Sequence, residues 1–335
     1  MSVSRIQKLD NAKFFLIACV VFGHFPASIL NGSFFLGIMS RWVYLFHMPA
    51  FVFIAGMLSK NNVAGNRWRK IFPYIILCAA MNILNSSLSI IKGNFSVFQH
   101  FYNLDGVPWF ALAMFWWTAI TIFLKKRRPK VVLIVSVVLS ILSGFWNSGG
   151  LLALQRTVFF YPFFYIGYLL DAEQVCSFLD GKRIKIISFF VIIVSVLVFA
   201  KLGGPDFIQE LMRGRRSYTS MEGLANAQFG CLYRVGLYIV SAALTASVIS
   251  IMPNRQIPLV TTAGTRSLAI YTFHRITILV LFQYIPGLQS WILKMPVMHT
   301  FIVAMLIVFF CALPPFDWAV KKLMNIFKPR AKKTE

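Results

Sequence analysis

Apolar runs of about bilayer length recur along the whole chain, and no other feature limits its fold as much. "KFFLIACVVFGHFPASIL" (13–30) and "IISFFVIIVSVLVFA" (186–200) are two of them. The hydrocarbon core of a membrane is crossed by about 20 helical residues. Inside it every backbone N–H and C=O has to be bonded within the protein, so such runs are helices. Ten are read, at roughly 12–30, 38–58, 72–91, 108–124, 131–147, 154–170, 184–201, 231–251, 267–285 and 298–316. The expected fold class is all-α: a polytopic membrane helical bundle of about ten transmembrane helices, one membrane-embedded domain over 1–335. Charge supports this, because only 13% of residues are charged while 58% are hydrophobic, against about 25% charged in a soluble protein. The first run lacks a small-residue cleavage site and more runs follow it, so it is not read as a cleaved signal peptide.

The net charge of +23, from 33 Lys and Arg against 10 Asp and Glu, is read as topology. With the N-terminus in the cytoplasm, "SKNNVAGNRWRK", "KKRRPK", "GKRIK" and the basic tail at about 317–335 all fall inside, as the positive-inside rule requires. Both termini are then cytoplasmic. That rule explains the basic residues without any nucleic-acid partner. The five cysteines, Cys19, Cys78, Cys176, Cys231 and Cys311, form no CxxC or paired spacing, so neither a disulfide framework nor a metal site is expected. Two outer loops are long, roughly 92–107 and 202–230, and loops of that length commonly carry function.

Titratable groups at membrane depth are costly and default to function. Here they are His24, His47, Arg156, Arg234, His274 and Arg275, with no Asp or Glu clearly mid-span. His24 follows Lys13 by 11 residues, which places both on one helix face about 16 Å apart along the axis. On spacing alone, packing and function stay open for His24. His47 stands beside Pro49 in a run that Gly56 also interrupts, a pattern of kinking or close helix approach next to a cavity. His274 is read as a cross-helix packing group. Arg275, about 100° around the helix from it, need not share its site. Arg156 opens the sixth run at its outer end, where a guanidinium holds carboxylate, phosphate or backbone carbonyls.

Absent motifs narrow the chemistry. There is no GxxxxGK[ST], GxSxG or HExxH, so P-loop, serine-hydrolase and zinc-protease chemistry have no support. An imidazole suits a reaction in which a hydroxyl loses its proton near neutral pH, as in acyl transfer.

Five segments in order resemble the acyltransferase 3 family of integral membrane O-acyltransferases. "LDNAKFFLIACVVFGH" resembles its first-helix signature, a basic residue and, eleven positions on, a histidine, here Lys13 and His24. "LFHMPAFVFIAGML" resembles its second-helix segment, with Ala55 where serine is common. "VPWFALAMFWW", "RTVFFYPFFYIGYLL" and "SLAIYTFH" are similar to later segments. The closest flavour is the fucose 4-O-acetylase-like branch. The resemblance implies acetyl transfer from cytoplasmic acetyl-CoA, without a metal, to a hydroxyl of an envelope or exported glycan or a lipid-linked saccharide, in a bacterial plasma membrane. It implies that His24 is catalytic, as general base or acyl carrier, with His47 beside it. Lys13 would serve the donor, oriented by Asp10 one turn away. Arg156 would meet substrate. In the second outer loop, Arg213, Arg215 and Arg216 run against the charge rule. They are read either as anchors to lipid headgroups or as the capture site of an anionic acceptor. The competing function is a transporter or flippase of a lipid-linked glycan, which predicts repeated halves with paired broken helices; the sequence shows no such symmetry.

Overall fold

The computed structural model describes residues 6–91, 104, 106–147, 150–221 and 227–327. Most of the expected 92–107 loop, residues 222–226 of the second loop and the tail beyond 327 lie outside the described residues. What is described is helical, and no strand occurs among these residues. The helices used below are α1 (Gln7–Gly23), α2 (Phe34–Trp42), α3 (His47–Leu58), α4 (Pro73–Ile91), α5 (Trp109–Leu124), α6 (Pro129–Leu142), α7 (Leu154–Leu169), α8 (Lys182–Lys201), α9 (Asp206–Arg213), α10 (Gly230–Ile251), α11 (Val260–Thr265), α12 (Ser267–Tyr284), α13 (Pro296–Cys311) and α14 (Pro314–Met324).

A helix lies at each of the ten expected runs. Fewer of them qualify as complete crossings. Among the described residues three spans are long and apolar enough, Phe34–Leu58 (α2 with α3), α8 and α10. The number rises to five if two bent pairs each count as one span. The bends have sequence causes. α12 turns by 97° into Leu288–Lys294 across Pro286 and Gly287, the latter at φ +78°. α13 turns by 54° into α14, which starts on Pro314 and Pro315; a proline in the first turn gives up an N–H that has no partner there anyway.

α1 is the hub. Leu16, Ile17 and Val21 are fully buried, and the helix packs on α3, α11, α12 and α13. Its polar start is buried as well. Lys8 Nζ donates to the carbonyls of Ser250 and Met252, both at 2.9 Å, and to Asp180 at 3.1 Å. A lysine there satisfies the free carbonyls at the C-terminus of α10. Asn11 Nδ2 donates to the carbonyls of Pro253 and Arg255, and Thr261 Oγ1 donates to Asn11 Oδ1 at 2.7 Å. These bonds set the height of α1 against α10 and α11.

α3 crosses α7 at two glycines. A Cβ at Gly56 would stand 2.1 Å from the Phe164 carbonyl oxygen, and one at Gly167 would stand 2.1 Å from that of Phe53. Small residues let backbones touch where no hydrophobic force drives helices together in lipid. Gly56 thus serves close approach, one of the two readings its place in the sequence allowed. α8 behaves oppositely. Only 11% of its apolar window is buried, and Ile187, Phe189, Val194 and Leu197 point outward, as befits a helix surrounded by hydrocarbon.

Candidate active site

The helix carrying His24 ends at that residue instead of running on to residue 30. Gly23 is the last helical residue of α1 and His24 is its C-cap. Pro26 follows, and a proline disfavours helical backbone at the residue before it. The last carbonyls of α1 then need partners. His24 Nδ1 donates to the Val20 carbonyl at 2.7 Å. Because a carbonyl only accepts, the proton is assigned to Nδ1 and the lone pair to Nε2, the form a general base requires. Arg275 Nη1 donates to the His24 carbonyl at 3.2 Å. His274 packs its ring edge-on to that of His24, centroids 5.0 Å apart, with its own Nδ1 2.9 Å from the Tyr271 carbonyl and its Nε2 buried without a partner. Adjacent residues of α12 therefore converge on His24, one through its ring and one through its backbone, although their angular separation on the helix gave no reason to expect it.

His24, His47, Arg156, Arg213 and Arg215 line one cavity of about 300 Å³, together with Tyr44, Trp109 and Arg275. Each is positioned by its own element. His47 heads α3 and its Nδ1 donates to Val43 at 2.6 Å, with Tyr44 edge-on at 4.8 Å. Arg156 lies in the first turn of α7 with its guanidinium 5.1 Å from the centre of the Trp109 ring. Arg213 ends α9 and stacks over Tyr44 at 5.0 Å. It also pairs with Glu210 at 2.5 Å. Arg216 does not line this cavity; its contact is with Glu210, at 3.4 Å.

Lys13 and Asp10 lie towards the other end of α1. Lys13 Nζ is 2.8 Å from Asp10 Oδ1, one turn back, which is the expected contact. Lys13 lines a second cavity of about 260 Å³ with Ile17, Phe51, Ala55, Asn62, Tyr74 and Tyr271. Met48 lines both cavities. Tyr271, which donates its hydroxyl to the Val107 carbonyl, joins their walls as well. A third cavity, about 650 Å³, shares Asn62 and Tyr74 with the second and is lined by Arg67, Trp68, Arg69 and Lys70. In the sequence these three cations read only as markers of the cytoplasmic side. The spacing alone gave no sign that they stand at the mouth of a cavity. Three recesses thus adjoin in series through shared wall residues: a basic mouth, a mostly apolar neck holding Lys13, and an inner chamber holding the histidines and arginines.

Among the described residues no group of three His, Cys, Asp or Glu is placed to hold a metal ion. Among family models, that of an acyltransferase domain, Acyl_transf_3, matches residues 6–314. No curated protein and no solved structure matches the chain.

Proposed function

This chain is an acyltransferase of the acyltransferase 3 family of membrane proteins, and on that premise we propose that it moves an acetyl group from cytoplasmic acetyl-CoA to a hydroxyl of an envelope glycan, in the fucose 4-O-acetylase-like manner. The bundle is read as a single domain in a bacterial plasma membrane, with ten helical passages and both ends in the cytoplasm. One observation carries the reading: His24, with its free Nε2, faces a chamber that adjoins a separate basic mouth through a neck holding Lys13.

The donor fits that series. The phosphates of CoA are anions that Arg67, Arg69 and Lys70 would hold at the mouth. The pantetheine arm is narrow and uncharged apart from its amides, and the neck past Lys13 has mostly apolar walls. The thioester would then reach Met48, at the edge of the chamber. His24 Nε2 takes the proton of the acceptor hydroxyl as its oxygen attacks the thioester carbonyl. The C–S bond breaks, the ester C–O bond is complete, and the thiolate leaves with a proton returned by the imidazolium. In the acyl-carrier variant Nε2 itself attacks first, expelling the thiolate; the hydroxyl oxygen then attacks the acetyl-imidazolium, the C–N bond breaks to release neutral imidazole, and the hydroxyl proton passes to the thiolate. A trapped acetyl-histidine at position 24 separates the two routes. His47 lines the same chamber, where its ring would orient the acceptor.

The test uses vesicles with wild-type protein or His24→Ala at matched amounts, given acetyl-labelled acetyl-CoA on the cytoplasmic face. Base-labile label in glycan with wild type and none with the variant supports the proposal. Equal label with both removes His24 from the mechanism. A glycan transporter would move its cargo without labelling it.

A further inference from the structure

The chamber around His24 carries more positive charge than its described surroundings balance. Arg213, Arg215 and Arg275 line it, and among the described residues no carboxylate does. The carboxylate that faces its arginines is Glu210, which meets Arg213 at 2.5 Å, Arg215 at 3.7 Å and Arg216 at 3.4 Å. One acid is therefore divided among three guanidinium groups, with Arg275 in addition and Arg156 left out of the count. The pairing is also incomplete: Arg215 Nε and Glu210 Oε2 are both buried and neither has a hydrogen-bond partner. Arg275 spends one N–H on the His24 carbonyl. Arg213, Arg215 and Arg275 are each partly buried, and partly desolvated cations in such surplus are costly until an anion with hydrogen-bonding oxygens joins them.

The donor does not supply that anion in the proposed reaction. Its phosphates would stay at the basic mouth, beyond the neck, and the thioester that reaches the chamber is neutral. We infer that the acceptor itself is anionic, with a carboxylate or phosphate close to the hydroxyl that is acylated, held by Arg215 and Arg275. Arg213 is committed to Glu210 and Tyr44 and shapes the wall. This rests on the reading of the chamber as the acceptor site. It assigns a capture role to two of the chamber's arginines and leaves Arg216 outside the site.

Equilibrium binding to the detergent-purified protein tests the inference without needing turnover. Three oligosaccharides matched in sugar sequence are compared: neutral, bearing a uronate carboxylate, and bearing a phosphate ester. An anionic form is expected to bind at least about tenfold tighter than the neutral one, as a charge-assisted bond pair predicts, and to weaken as salt is raised. Preference for the uronate identifies an acidic sugar as the acceptor, and preference for the phosphate a phosphate-linked one. Arg215→Gln and Arg275→Gln should each lose about tenfold in that binding. Arg215→Lys, which keeps the charge, should retain part of the preference if the fold is intact. Arg67→Gln, at the mouth, should leave it unchanged. Equal affinity for all three, no binding of any, or loss of anion binding in Arg67→Gln instead, would overturn the inference. Failure of the vesicle assay with preserved anion binding would count against acetyl transfer and leave this result standing.

Discussion

His24 spends one ring nitrogen on its own helix and keeps the other for the chamber, so substitutions there separate packing from chemistry. Asn keeps a side-chain donor for the Val20 carbonyl but has no basic nitrogen. His24→Asn is expected to fold, by its melting temperature, and to transfer acetyl about 10²–10⁴-fold more slowly, the usual contribution of a general base. A variant with near-normal transfer would put the proton elsewhere. A second residue-scale expectation concerns Asp180, outside the spans. Hydrogen bonds from Lys185 at 2.5 Å and from Lys8 at 3.1 Å hold its carboxyl below the ordinary carboxylate range. A folded-state value below the unfolded one stabilises the protein above the unfolded pKa of about 4. That contribution is lost as pH falls through the folded value. Asp180→Asn should therefore melt lower than wild type by about 2–4 °C at pH 7, and the gap should close as pH is lowered through the carboxylate range. A gap that stays constant with pH would mean that the ion pairs contribute nothing and that the asparagine disturbs packing instead.

At the scale of helices, hydropathy located the rods but not their breaks. The apolar run through His24 continues past Pro26, so a residue that caps a helix reads as one buried mid-helix. The run ending near 316 likewise passes over Pro314 and Pro315, where α13 has already stopped at Cys311. Proline marks these breaks, and hydropathy averages over them. Gly56 was legible as a point of close approach because no side chain is there. Its counterpart Gly167, in the aromatic "FFYIGYLL", shows its purpose only when α7 is laid on α3. The crossing is specific enough to test. Gly167→Val puts new carbon atoms against the Phe53 carbonyl, and overpacking of this kind costs about 1–3 kcal/mol. The expected result is a melting temperature at least about 3 °C lower with a smaller monodisperse yield, whereas Gly236→Val, where a Cβ would meet nothing within 4 Å, should match wild type. Equal stability of both variants would mean that the helices separate without penalty.

Across the whole molecule, the order of the three recesses suits the proposed transfer from donor to acceptor, and part of that order was readable beforehand. Lys13 and His24 were placed on one rod with the cation nearer its start. Five of the proposed site residues do meet in one chamber. Arg275 was missed because helical angles set it apart from its neighbour, and a second helix, α1, is what brings them together. That Arg67, Arg69 and Lys70 line a cavity was missed because topology alone accounts for basic residues beside a span. Met48 was unreadable for a different reason: an apolar residue in an apolar run has no signature until two cavities are found on either side of it. On the proposed donor path it would gauge the acyl group. If the thioester passes Met48 to reach His24, the room there sets which acyl chains are transferred. A methylene that a pocket does not accommodate costs roughly tenfold or more in discrimination. Met48→Ala should therefore raise the butyryl-to-acetyl ratio of kcat/KM by at least about tenfold, measured with labelled acyl-CoA donors in vesicles. Met48→Trp should slow acetyl transfer without weakening CoA binding, because on the proposed reading the phosphates would be held at the mouth. If both variants keep the wild-type ratio and rate, the acyl group does not travel through the neck, and His24 must be reached from the other side of the chamber.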